Sequence, residues 1–166
     1  MREDAKEHVA RILFVCTGNI CRSPAAEVLL RRRLEREGLE DWEVGSAGTW
    51  TAAGRPISAH MADLLAQRGL DASSHRSQEI DRRMMEEADL ILVMTQSHAE
   101  ALRLEFPDQA HKVFLLSEMV EGERYDIHDP YGGSLLNYRI CLEELEHLIK
   151  EGFERIRALA ESTSPR

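Results

Sequence analysis

Ile12-Leu13-Phe14-Val15-Cys16-Thr17-Gly18-Asn19-Ile20-Cys21-Arg22-Ser23-Pro24-Ala25-Ala26 is the stretch whose reading decides the fold. Ile12 to Val15 is a continuous, partly β-branched apolar run, the pattern of a central strand buried on both faces. Ser23 and Pro24 predict a helix start with Pro at the first helical position, and Ala25, Ala26, Val28, Leu29 and Leu30 supply its apolar stripe. Gly38 is placed to stop that helix. A buried strand that turns at once into a helix is the repeating unit of a parallel α/β sheet.

The rest of the chain keeps that alternation. A short strand is expected near Trp42 to Ser46, a helix from about Ser58 to Arg68 closed by Gly69, and a strongly apolar strand at Leu90 to Met94. Ser97 with Glu100 three residues on has the form of a capping box, starting a helix to about Phe106 before a strand at Lys112 to Leu116. The last helix is the longest, with Cys141, Leu145, Leu148, Ile149, Phe153 and Ile156 at helical spacing on the face that packs on the sheet. Neither a repeat nor a linker interrupts the pattern, so residues 1–166 read as one α/β domain, with polar and frayed ends at 1–9 and 162–166.

Composition narrows the class. The 166 residues suffice for one domain with a sizeable core. With 21 basic and 30 acidic side chains the formal charge is −9, which repels nucleic acid and anionic membranes, so any anion site must be local. No apolar run approaches the roughly 20 residues that span a bilayer, and Met1 to Ala10 lacks a signal-type apolar segment. Three cysteines suit free thiols in a reducing compartment. The expectation is a cytoplasmic monomer without nucleic-acid or membrane partners.

Between the first strand and its helix, five residues separate Cys16 from Arg22, with Gly18 and Asn19 inside the turn. A short loop feeding a helix N-terminus points backbone N–H groups inward, and the helix dipole adds positive charge, so the loop suits a tetrahedral phosphate. Gly18 permits close approach or positive φ, and Asn19 tolerates the left-handed region. Arg22 adds a planar fork for two phosphate oxygens. Cys16 lies at the floor of this cradle, where such donors favour a nucleophilic thiolate. The phosphate-binding set is Thr17, Gly18, Asn19, Ile20, Cys21, Arg22 and Ser23. Ser23 is read both as a helix cap and as a hydroxyl donor to the thiolate.

Other readings of the cysteines are weighed beside this one. A zinc site from Cys16 and Cys21 lacks two further ligands, because no CxxC or HxxxH pair supplies them. Cys141 lies on an apolar helix face and reads as packing. Cys21 has two readings: buried packing, or a second thiol that traps an oxidised Cys16 as a disulfide.

The run Val15-Cys16-Thr17-Gly18-Asn19-Ile20-Cys21-Arg22-Ser23-Pro24, with Asp129-Pro130-Tyr131 late in the chain, resembles the low-molecular-weight protein tyrosine phosphatase family. Ser46-Ala47-Gly48-Thr49 and Ser74-His75-Arg76 look like further family landmarks in the expected order. The resemblance implies a three-layer flavodoxin-like fold with a four-stranded parallel sheet flanked by helices, no metal or other cofactor, and a cysteinyl-phosphate intermediate. It also implies a phosphorylated protein as partner, a bacterial tyrosine kinase being one candidate.

A phenolate leaves more easily when a carboxylic acid protonates it as the P–O bond breaks. Asp129 is the candidate: Pro130 stiffens its backbone, and the family places its general acid in this Asp-Pro pair. The plain alternative is an aspartate that initiates a turn; Asp126 competes for the role, with Asp81 and Asp89 behind. Ile20 and Tyr131 are candidate walls for a phenyl ring. Trp50 is open between wall and core. Asn19, Ser46 and His75 form a supporting polar network on the family pattern, though His75 alone reads as a surface loop residue.

The resemblance leaves rivals. Asp129-Pro130-Tyr131-Gly132-Gly133-Ser134 looks like the branch of protein arginine phosphatases, in which the residue before the second cysteine is a threonine; Ile20 stands there here and favours phosphotyrosine. Arsenate reductase chemistry needs two further cysteines, and none lies between Cys21 and Cys141. A catalytically silent phosphate-binding adaptor would lose the nucleophile or the acid, whereas Cys16, Arg22 and Asp129 are all present.

Overall fold

The computed structural model describes residues 9–162. Of the ends read as frayed, 1–8 and 163–166 lie outside the described residues; Val9 belongs to no element and Ser162 ends the last helix. Four parallel strands, β1 (Arg11–Cys16), β2 (Glu43–Gly48), β3 (Leu90–Val93) and β4 (Val113–Leu115), form one sheet in the order β2-β1-β3-β4. Around them lie α1 (Arg22–Arg36), α2 (Ala59–Gln67), α3 (Arg82–Glu87), α4 (Gln96–Glu105) and α5 (Leu135–Ser162).

The two-residue period of β1 divides the core. Ile12, Phe14 and Cys16 face the layer built by α1, α2 and α5, where Leu30, Leu65, Leu145 and Phe153 are buried. Leu13 and Val15 face the opposite layer, with Met85 of α3 and Ala99 and Leu102 of α4. These three layers are the flavodoxin-like arrangement expected. Because β1 is flanked by β2 on one side and β3 on the other, its carboxyl end is the topological switch point, where open α/β sheets place their ligands.

Local differences from the sequence reading have physical causes. Helix α1 begins at Arg22, so Pro24 is its third residue; its missing N–H costs nothing there, because the first four N–H groups of a helix have no intrahelical partner. The residue before α1 is Cys21, without a side-chain cap, so Ser23 does not cap the helix. The capping box of α4 is made by Thr95 and His98, not by Ser97 and Glu100: Thr95 accepts from His98 N, and the His98 ring accepts from Thr95 N. Strand β2 runs Glu43–Gly48 where Trp42 to Ser46 was expected, and β4 runs Val113–Leu115 inside the expected Lys112 to Leu116. Helix α3 was not anticipated. It has six residues, one of them buried, with arginines at its N-terminus and glutamates at its C-terminus, against the helix dipole. Asp81 caps it through Met84 N, and the Lys112 ammonium reaches the carbonyls of Met85 and Glu86 at its other end.

Candidate active site

The loop 17–21 is held from behind by its carbonyls. Cys16 O accepts from Thr49 N (2.9 Å), Thr17 O from Trp50 N (3.1 Å) and Ile20 O from Ser58 N (2.8 Å). Gly18 O accepts from Thr51 Oγ1 at 2.7 Å, and Asn19 O lies 2.6 Å from His75 Nε2. In a planar trans peptide the N–H points opposite to the preceding carbonyl. With five successive carbonyls turned outward, the N–H groups of Thr17 to Cys21 turn toward the concave side. Outside the sheet ladder, no bond among the described residues claims the N–H groups of Gly18 to Cys21.

Asn19, and not Gly18, takes the left-handed conformation, with φ of 56°. A Cβ at Gly18 would meet only Ile20 Cγ1, at 3.8 Å. The tight position is Gly48, where a Cβ would stand 2.5 Å from Thr17 O. Asn19 is fully buried; its Nδ2 donates to Ser23 Oγ (2.8 Å) and Ser46 Oγ (2.9 Å), while Oδ1 accepts from Gln78 N (3.0 Å). Asn19, Ser46 and His75 are thus brought together, and Gln78, which sequence reasoning missed, closes the network by donating Nε2 to Ser46 O.

Cys16 Sγ ends β1 at the floor of the cradle, 2.9 Å from Ser23 Oγ. Arg22 is buried and donates Nη1 to Ile127 O at 2.9 Å; Nη2 stands 3.6 Å from Asp129 Oδ2, and Nε has no partner. A buried guanidinium with one unclaimed donor is costly unless an acceptor arrives, and the adjacent Nε and Nη2 form a fork for two anion oxygens. Ile127 supplies only a carbonyl, which no side-chain pattern in the sequence could reveal.

Above the floor opens a cleft of about 230 Å³, which Ile20, Trp50, Arg55, Asp129 and Tyr131 line with the loop. Trp50 is 81% exposed, which rules out a place in the core. Asp129 uses both oxygens: Oδ1 accepts from Tyr131 N at 3.0 Å, making the turn, and Oδ2 faces Arg22. Its competitors are engaged elsewhere. Asp126 accepts from Gln96 N, Asp81 caps α3, and Asp89 accepts from Arg11 N at the far end of β1. Arg55 and His98 are further residues that sequence reasoning missed. Arg55 sits in a polar loop without periodicity, and His98 is marked only by Thr95 three residues earlier.

The other two cysteines are also buried and free. Cys21 Sγ meets Ser58 Oγ at 3.4 Å and Tyr138 Oη at 3.7 Å, and burial raises its pKa. Cys141 is buried on α5 as expected, where burial pushes its thiol up to about 12.

A thiol, a buried guanidinium and unclaimed N–H groups around one concave loop define a protein that handles phosphate through cysteine. The chain belongs to the low-molecular-weight phosphotyrosine protein phosphatase family, whose model matches residues 11–162. It is 40% identical over 147 residues to a protein-arginine-phosphatase of Geobacillus stearothermophilus, covering 89% of this chain and 96% of that one. It is 36% identical over 151 residues to the probable low-molecular-weight protein-tyrosine-phosphatase EpsP of Ralstonia solanacearum, covering 91% and 99%. A low-molecular-weight protein tyrosine phosphatase from T. tengcongensis superposes with a TM-score of 0.83 at 39% identity, covering 88% of this chain and 99% of that one. The protein is therefore a hydrolase, a cysteine-based phosphatase. Among the described residues no helix is long and apolar enough to cross a membrane.

Proposed function

We propose that the protein hydrolyses phosphotyrosine in protein substrates, with Cys16 as nucleophile, Arg22 and the loop N–H groups as the phosphate clamp, and Asp129 as acid and then base. The observation that carries this is the cleft itself: an unclaimed donor set around Cys16 Sγ, opening between Ile20, Trp50 and Tyr131. A flat phenyl ring fits between apolar and aromatic walls.

In the first step the Cys16 thiolate attacks phosphorus in line and the P–O bond to the phenol breaks. Arg22 and the N–H groups hold the equatorial oxygens, and protonated Asp129 gives its proton to the departing oxygen. In the second step the Asp129 carboxylate takes a proton from water as that water attacks the cysteinyl phosphate. Phosphate leaves and the thiolate is restored. Charge is stabilised throughout by donors already in place.

The second reading, phosphoarginine hydrolysis on the same scaffold, draws on the arginine-phosphatase relatives. Two features of the cleft weigh against it: Ile20 offers no hydroxyl, and the Arg55 guanidinium on the rim repels the positive guanidinium that a phosphoarginine side chain carries beside its phosphoryl group. Turnover of matched phosphotyrosine and phosphoarginine peptides decides, with a large phosphotyrosine preference expected and the reverse preference overturning the reading. On this reading the partner is a phosphorylated cytoplasmic protein such as a bacterial tyrosine kinase, and the phosphatase acts as a monomer.

A further inference from the structure

His98, the third residue of α4, is buried against the back of the cradle. Its Nδ1 accepts from Thr95 N at 3.2 Å, while Thr95 Oγ1 accepts from His98 N, so the ring is pinned to the start of the helix. A backbone amide can only donate. Nδ1 therefore carries the lone pair, and the proton of the neutral ring sits on Nε2. Nε2 lies 2.8 Å from Thr17 Oγ1, so the ring donates and the hydroxyl accepts. The hydroxyl hydrogen of Thr17 is left over, and among the described residues no acceptor takes it. Thr17 lines the cleft.

We propose, on the phosphatase reading above, that His98 is a positioning residue: its Nε2–H fixes Thr17 Oγ1 so that the Thr17 hydroxyl donates to an oxygen of the phosphoryl group in the cradle. A threonine hydroxyl left to itself can turn a lone pair toward an anion as readily as a hydrogen. With one lone pair held by Nε2–H from behind, the hydrogen is directed at the anion before substrate arrives. A donor oriented in advance does not have to reorganise when charge develops, which is where such groups contribute most. His98 touches neither phosphate nor Cys16 and acts only through Thr17.

The test is a double-mutant cycle with Thr17→Val, His98→Phe and the pair together, beside Thr17→Ser and His98→Gln. Binding of inorganic phosphate by calorimetry and kcat/KM on a phosphotyrosine peptide are both read. Losing a hydrogen bond to a charged group predicts about a tenfold loss in each for Thr17→Val, with recovery in Thr17→Ser. His98→Phe is expected to lose about threefold to tenfold, His98→Gln less, and the pair no more than Thr17→Val alone. Losses that multiply in the pair would show that His98 acts independently of Thr17 and would overturn the proposal. Unchanged phosphate affinity in Thr17→Val, a variant that keeps the His98 side chain and its bond to Thr95 N, would overturn it even if His98→Phe does not fold. A parent protein that binds phosphate with the coupled pattern yet hydrolyses no phosphotyrosine would sink the functional reading and support the hydroxyl's placement.

Discussion

Ser23 Oγ lies 2.9 Å from Cys16 Sγ, and because it already accepts a hydrogen from Asn19 Nδ2, its own hydrogen is directed at the sulfur. Asn19 in turn is pinned by Ser46 and Gln78, so the donor to Cys16 is held by a buried network, without rearrangement. On the proposed mechanism the same thiolate is the nucleophile of the first step and the leaving group of the second.

Ser23→Ala should therefore lower kcat more than it raises KM. Loss of a hydrogen bond to a charged group predicts roughly a tenfold to hundredfold fall. Because thiolate departure is affected most, cysteinyl phosphate should accumulate, seen as a burst of phenol release in rapid-mixing experiments. A variant whose only change is a higher KM would mean that Ser23 serves binding and not the sulfur.

On the proposed mechanism Asp129→Asn removes the proton donor while keeping the turn, since the Asn oxygen can still accept from Tyr131 N. General acid catalysis contributes about 10²-fold to 10⁴-fold, and the leaving group that needs the proton most should suffer most. The loss in the first step should be large for phenyl phosphate and much smaller for a nitrophenyl ester. Equal losses for the two esters would move the acid role away from Asp129.

The sheet and the cradle were legible in the sequence because their signals are local. Ile12 to Val15 is apolar at every position, and Cys16 to Arg22 follows without a gap, so strand, loop and helix had one arrangement. Ser23 was harder: a serine before proline looks like a cap, and only the position of Asn19 shows that its oxygen is spent on the network. Ser97 with Glu100 has the letters of a capping box, but the cap of α4 is Thr95, because the buried His98 ring accepts from Thr95 N. What could not be read was supplied from far along the chain. Ile127 offers a backbone carbonyl that has no residue-type signature, and Arg55 reaches the rim from a loop whose backbone is tied to the distant Ser77 Oγ.

His98 gives the stability a definite pH dependence. Burial first, and the nearby Arg22 charge second, lower its pKa from 6.5 to about 4, against the opposing pull of Asp126 and Asp129. As pH falls through 6.5 the unfolded chain takes up a proton that the native state refuses until about 4, so stability is full above 6.5 and declines down to about 4. The decline attributable to this ring is about 3 kcal/mol. Urea unfolding at pH 7 and at pH 4 should show the parent losing more stability than His98→Gln by roughly that amount. Parallel losses in the two proteins would mean that the ring protonates freely in the folded state.

Arg55 is exposed on the rim of the cleft, so its contribution is long-range charge and not a fixed contact. In a chain of net charge −9, a cation beside the phosphate cradle offsets the repulsion felt by an approaching dianion and by acidic residues flanking it. Arg55→Glu should lower kcat/KM for an acidic phosphotyrosine peptide by several-fold at low salt. The deficit should shrink at 1 M salt, where screening acts over about 3 Å. The same variant should narrow the gap between phosphotyrosine and phosphoarginine peptides, because a carboxylate at the rim attracts the guanidinium that Arg55 repels. If the deficit persists at high salt and is as large for a neutral peptide, Arg55 acts through direct contact or loop structure, and its role in excluding phosphoarginine falls with it.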